Sequence, residues 1–287
     1  MFDREFHEIR EGLHLHCLAW GSPDSDLCPF VLVHGLASNA RLWDGVAREL
    51  ADLGHYVIAV DQRGHGHSGK PDDGFDMETV AHDLALLIDV LELDRPVVVG
   101  QSWGANVVVE LGARHPQLVR GVCAVDGGTI SLKKHYPDWN DCAEALRPPH
   151  LVGMPAKRME AFIRSAHPDW PEDGIQGALA CMEVRDDGTI APWLTLERHM
   201  KVLRGLWEHD PFRLFPHLQV PVMFMPALNN HNAGWAADKK EAVERAVRDA
   251  PRSHVVWFEG ADHDLHAQHP LRVANELHQA TYNGFFS

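Results

Sequence analysis

The chain has 287 residues, 45% of them hydrophobic, and a formal net charge of −15. That composition supplies a sizeable core, and its acidic balance argues against a nucleic-acid or anionic-membrane surface. Five cysteines (Cys17, Cys28, Cys123, Cys142, Cys181) form no Cys-x-x-Cys pair, no stretch nears the roughly 18 apolar residues of a membrane span, and the charged opening MFDREFHEIREG has no apolar leader, so a cytoplasmic protein with free thiols is expected.

Residues 6–20 alternate in polarity around Glu11-Gly12 and predict two short strands. Phe30–Val33 is apolar throughout, as suits a parallel strand covered on both faces, and runs into His34-Gly35-Leu36. Leu42, Val46, Leu50 and Leu53 mark a helix. Tyr56-Val57-Ile58-Ala59-Val60-Asp61 predicts another buried strand, followed by the glycine-dense Gln62-Arg63-Gly64-His65-Gly66-His67-Ser68-Gly69. That loop lacks the helix that opens directly from a dinucleotide fingerprint.

Asp76 is placed to cap a helix with an apolar stripe from Met77 to Leu91. Val97-Val98-Val99 then leads into Gly100-Gln101-Ser102-Trp103-Gly104 and a helix ending at His115-Pro116. Val119–Val125 is the next strand and ends at Asp126. From 131 to 215 no convincing buried strand appears, and prolines cut the segment into short, mostly helical pieces carrying Trp139, Trp170, Trp193 and Trp207. Each tryptophan is expected chiefly to pack within this insertion. The alternating pattern resumes with a strand at 222–225, a helix at 238–250, a strand at 255–258 and a closing helix from Pro270 to Tyr282.

Gly-x-Ser-x-Gly between a β-branched strand and a helix is the context of a nucleophile elbow, in which a larger residue at Gly100 or Gly104 would crowd the turn. Four motifs in order carry a resemblance: His34-Gly35, Asp61-Gln62-Arg63-Gly64-His65-Gly66-His67-Ser68, Gly100-Gln101-Ser102-Trp103-Gly104, and Gly260-Ala261-Asp262-His263 before Pro270. Together they resemble the α/β-hydrolase superfamily over nearly the whole chain. The resemblance implies an α/β fold with a mostly parallel sheet flanked by helices. It also implies a core of residues 1–130 and 216–287, and a helical cap at 131–215.

It further implies Ser102 as nucleophile, His263 as base and then acid, and the backbone amides of Leu36 and Trp103 as oxyanion donors. Leu36, Trp103 and His34 are expected to contact substrate, with the indole of Trp103 walling the pocket. The supporting acid is open. The loop after the 222–225 strand carries Asn230 where many relatives have a carboxylate, so Asp126 is preferred and Asp238 is the alternative.

His266 and His269 follow His263 at three-residue spacing, but no open three-ligand set can be read and no metal is expected. The expected activity is cofactor-independent cleavage of a carboxylic ester or lactone in a small molecule with an apolar part. No nucleic-acid or membrane partner is expected, and a homodimer is left open. A prolyl-type aminopeptidase would need cap carboxylates for an ammonium, with Glu160, Glu172, Glu183 and Glu197 as candidates. A carbon–carbon bond hydrolase would use the same triad. A non-catalytic ligand-binding protein would show a damaged one.

Overall fold

The computed structural model describes residues 3–229 and 233–287. In chain order the strands are β1 (Asp3–Arg10), β2 (Leu13–Trp20), β3 (Phe30–Val33), β4 (Val57–Val60), β5 (Val97–Gln101), β6 (Gly121–Val125), β7 (Met182–Val184), β8 (Ile190–Pro192), β9 (Val222–Met225), β10 (Ala227–Leu228), β11 (Ser253–Val255) and β12 (Phe258–Glu259). The helices are α1 (Asp44–Asp52), α2 (Met77–Val90), α3 (Trp103–Arg114), α4 (Trp139–Ala145), α5 (Ala156–Ala166), α6 (Glu172–Leu179), α7 (Leu196–Glu208), α8 (Ala233–Asp249), α9 (Leu265–Gln268) and α10 (Pro270–Tyr282).

Eight strands form one sheet in the order β1-β2-β4-β3-β5-β6-β9-β11. The β1–β2 and β2–β4 pairs are antiparallel and the others parallel. Alternation along each inner strand sends side chains to opposite faces. Val31, Val33, Ile58, Val60 and Val98 pack with α2 and α3. Phe30, Leu32, Val57, Ala59, Val97 and Val99 pack with α1 and α10. Because helices cover both faces, these strands are apolar at every position rather than at alternate ones.

Asp76 caps α2 as expected, its carboxylate accepting the Thr79 amide at 2.9 Å. Two features differ from expectation. The segment 131–215 contains α4 to α7 but also the antiparallel ribbon β7–β8, which stays outside the main sheet. The last strand is divided into β11 and β12, the latter pairing with β10. Pro226 is the reason: it lies between β9 and β10 and has no amide to give to the ladder.

Candidate active site

Ser102 stands between β5 and α3 with φ 54° and ψ −120°, a backbone conformation that costs about 1–3 kcal/mol outside glycine. The turn is tight enough that a Cβ on Gly100 would strike the carbonyl of Gly104. One on Gly104 would strike the carbonyls of Val33 and His34. Gly35 brings the β3 loop equally close, since a Cβ there would run into Gln101 and Ser102. Among the described residues, five non-glycines have positive φ. Three of them, Ala37, Ser102 and Asp126, fall at this site, so the strain is concentrated where the chemistry would occur.

His263 follows β12, and its Nδ1 lies 2.6 Å from Oδ2 of Asp126. Asp126 is almost fully buried at the end of β6. Its Oδ1 also accepts the Ala227 amide at 2.9 Å, and the Lys239 ammonium from α8 donates to Oδ1 and Oδ2 at 2.7 and 3.0 Å. Burial pushes the carboxyl up, but the bond from His263 and the charge of Lys239 outweigh it and hold Asp126 below the usual carboxylate range. Burial of the inner edge of His263 works against its charge, yet the hydrogen bond to Asp126 and the nearby charge of Asp264 raise its pKa, against opposition from Lys239. The His263 side chain keeps 54% of its surface open.

Ser102, Asp126 and His263 line one cavity of about 590 Å³, together with Leu36 and Trp103. Among the described residues, no protein group accepts the amides of Leu36 or Trp103. The Trp103 amide is one of the donors that the start of α3 leaves over. Both amides at the cavity wall are therefore left without a protein acceptor among the described residues.

The structure brings Asp126, and not Asp238, to His263. Asp238 lines the same cavity from α8 without a hydrogen bond to the ring, and Asn230 lies outside the described residues. Two expected contacts are corrected. His34 does not reach the cavity. It is fully buried, its Nδ1 facing the Gly35 carbonyl at 2.7 Å while its Nε2 accepts the Gln62 amide at 3.0 Å. Both ring nitrogens are committed to backbone, and burial lowers the pKa, so the neutral ring shapes the loop that presents Leu36. The Trp103 indole has no exposed surface and stacks on His65 with centroids 5.3 Å apart. That residue therefore offers the cavity its backbone rather than an aromatic wall.

The glycine-dense loop after β4 wraps the Asp61 carboxylate, which accepts the amides of Ala40 at 2.7 Å and His67 at 2.8 Å and meets His16 Nδ1 at 2.8 Å. His266 is buried against Trp43, with ring centroids 4.3 Å apart, and His269 stacks on Phe258. Trp139 and Trp207 pack edge to face, Trp170 on His167 and Trp193 on His67, and none of the four lines the cavity. Glu160 and Glu172 pair with Arg164, and Glu197 pairs with Lys201; these three and Glu183 all lie off the cavity. The reading from sequence missed Lys239, Tyr136, Phe212 and His199 as cavity residues. Only the helical register of α7, which aligns His199 with Leu203 and Leu206, carried a signal for any of them.

A serine on a strained strand-to-helix turn and a histidine held by a buried aspartate, at the edge of a doubly covered parallel sheet, define an enzyme of the α/β-hydrolase class. Residues 29–158 match the family described as alpha/beta hydrolase fold. The chain is 30% identical to 2-(acetamidomethylene)succinate hydrolase of Mesorhizobium japonicum, over 83% of this chain and 82% of that protein. It is 38% identical to a non-heme chloroperoxidase of Streptomyces lividans, over 91% and 93%. The crystal structure of E-2-(acetamidomethylene)succinate hydrolase superposes with a TM-score of 0.80 at 26% identity, covering 97% of this chain and 98% of that one. The protein belongs to the α/β-hydrolase family.

Proposed function

We propose that this protein is a cofactor-independent serine hydrolase that cleaves a carboxylic ester or lactone, with residues 131–215 acting as a cap over the cavity. The observation that carries the reading is the 2.6 Å contact between His263 and Asp126 in the cavity that Ser102 lines. Ser102 Oγ attacks the acyl carbon while His263 Nε2 takes its proton. The amides of Leu36 and Trp103 receive the charge on the carbonyl oxygen. The alcohol leaves with the proton from His263, and a water activated by the same ring then releases the acid and restores Ser102.

None of the cap glutamates Glu160, Glu172, Glu183 and Glu197 lines the cavity, so the cap offers no carboxylate for the ammonium of an aminopeptidase substrate, and among the described residues the acidic groups at the wall besides Asp126 are Asp238 and Glu241 of α8. A fluorophosphonate reagent tests the nucleophile. Labelling is expected at Ser102 in the folded protein and absent in Ser102→Ala. Unlabelled folded wild type would leave a binding protein on this scaffold. Turnover of p-nitrophenyl esters is expected to disappear in Ser102→Ala. Labelling without any ester turnover would point to another acyl bond or to carbon–carbon cleavage.

A further inference from the structure

The wall of the cavity contributed by α7 is apolar with one exception. His199, Leu203 and Leu206 recur at positions i, i+4 and i+7, which share one helix face, and all three line the cavity. Leu203 and Leu206 are what such a wall requires. His199 is 9% exposed, and among the described residues its imidazole has no hydrogen-bond, ionic or ring partner in the protein. An imidazole carries one donor and one acceptor even when neutral, and leaving them unmade in an apolar wall costs stability. Its partner has to come from the contents of the cavity. Burial alone pushes the pKa down to about 4, so the ring is neutral across the ordinary working range.

The cations around the cavity give the second observation. Among the described residues three Lys or Arg side chains line it, and each already faces a carboxylate. Lys239 pairs with Asp126 at 2.7 Å, Lys134 with Glu241 at 3.3 Å, and Arg245 with Asp249 at 3.6 Å. A second anionic group on a ligand would therefore compete with a carboxylate at each of them.

We infer that His199 is a specificity residue, and that the cavity takes a substrate whose apolar chain carries a neutral hydrogen-bonding oxygen, such as a ketone or hydroxyl, rather than a second carboxylate. The inference rests on the ester-cleaving reading only for the choice of scissile bond. Three p-nitrophenyl esters of equal chain length test it: hexanoate, 5-oxohexanoate and the adipate half-ester. Wild type is expected to favour 5-oxohexanoate over hexanoate by about tenfold in kcat/KM, mainly through KM, and to use the adipate half-ester least. In His199→Leu the ratio of oxo to plain ester is expected to fall to about one. His199→Gln, which keeps a donor and an acceptor, is expected to recover part of it. Because the readout is a ratio within each variant, a general loss of folding or of catalytic competence cancels.

Equal use of oxo and plain ester by wild type would overturn the inference. So would preference for the adipate half-ester, or persistence of the ratio in His199→Leu. The same esters are also bound calorimetrically to Ser102→Ala protein, with and without His199→Leu. If wild type cleaves none of them while Ser102→Ala binds the oxo ester about tenfold tighter than the plain one, the ester reading fails and the role of His199 stands.

Discussion

Asp126 holds more hydrogen bonds than the orientation of one imidazole requires. It receives Ala227, His263 and a lysine that reaches both of its oxygens. In the proposed mechanism the pair works as a set, Asp126 fixing which nitrogen of His263 carries the proton and Lys239 limiting how strongly the resulting imidazolium is held. Asp126→Asn is expected to keep the fold and to lower kcat by about 10³- to 10⁴-fold, because an amide neither selects the tautomer nor balances the charge. Steady-state kinetics together with an unchanged far-ultraviolet dichroism spectrum checks this.

In the proposed mechanism the basic form of His263 is the active one, and its pKa is raised in the fold. The acid limb of kcat/KM is therefore expected at a pH above the ordinary histidine value of 6.5. Removing the neighbouring positive charge in Lys239→Met favours the imidazolium and should move that limb further up. A pH profile with the limb unmoved or lowered would refute this role for Lys239. Of these residues, Ser102 and His263 were legible in the sequence because a motif or a place after a strand marks them. Asp126 was legible as one of two candidates. Lys239 was not, since its partner is 113 residues away along the chain and no spacing rule connects them.

Elements were legible wherever a regular apolar period met a capping or breaking residue, as at α2 behind Asp76 and α10 behind His269-Pro270. They were misread where the decisive group lies in a neighbouring strand. Val255 to Phe258 reads as one strand, and it is Pro226, opposite, that interrupts it. The ribbon β7–β8 escaped for a related reason: each strand has three residues, too few to show a period of two.

The insertion is attached through α3. Asn106, fully buried, donates to the Ile130 carbonyl at 2.8 Å and to His209 Nδ1 at 3.1 Å, and accepts the Gly128 amide at 3.0 Å. His209 in turn meets Glu110 at 3.0 Å. Asn106→Leu strands buried polar groups at both ends of the insertion, at a cost of about 1–3 kcal/mol each. The expected result is a lower melting temperature and faster hydrogen exchange in α4 and α7 than in β3 to β6. Uniform exchange across the two regions would contradict it.

At the scale of the whole molecule, the buried carboxylates make the fold sensitive to acid. Burial raises the pKa of Asp61, Glu110 and Asp126, but hydrogen bonds and positive neighbours outweigh it, and all three end below their ordinary values of 3.8, 4.5 and 3.8. A group depressed in the folded state contributes stability above its unfolded pKa and loses it as pH falls through the folded one. Unfolding free energy is therefore expected to decline steeply below about pH 4.5, by urea titration at stepped pH, and less steeply in Asp61→Asn, which starts from a lower value. Asp44, raised to about 6 by burial, acts in the opposite direction, its contribution declining as pH rises through that value. An equally steep decline in Asp61→Asn would remove Asp61 from this account.

One amide side chain has a consequence for how the molecule could have diversified. Asn106 joins Ile130, just after the chain leaves the sheet, to His209 at the end of α7, so those two points are neighbours whatever runs between them. The entropy of closing a loop grows only with the logarithm of its length. Segments of quite different size could be carried on the same two anchors with little change in the stability of the sheet beneath. The pocket wall can then be exchanged as a cassette while Ser102, Asp126 and His263 stay in register, which separates the history of the substrate from the history of the chemistry.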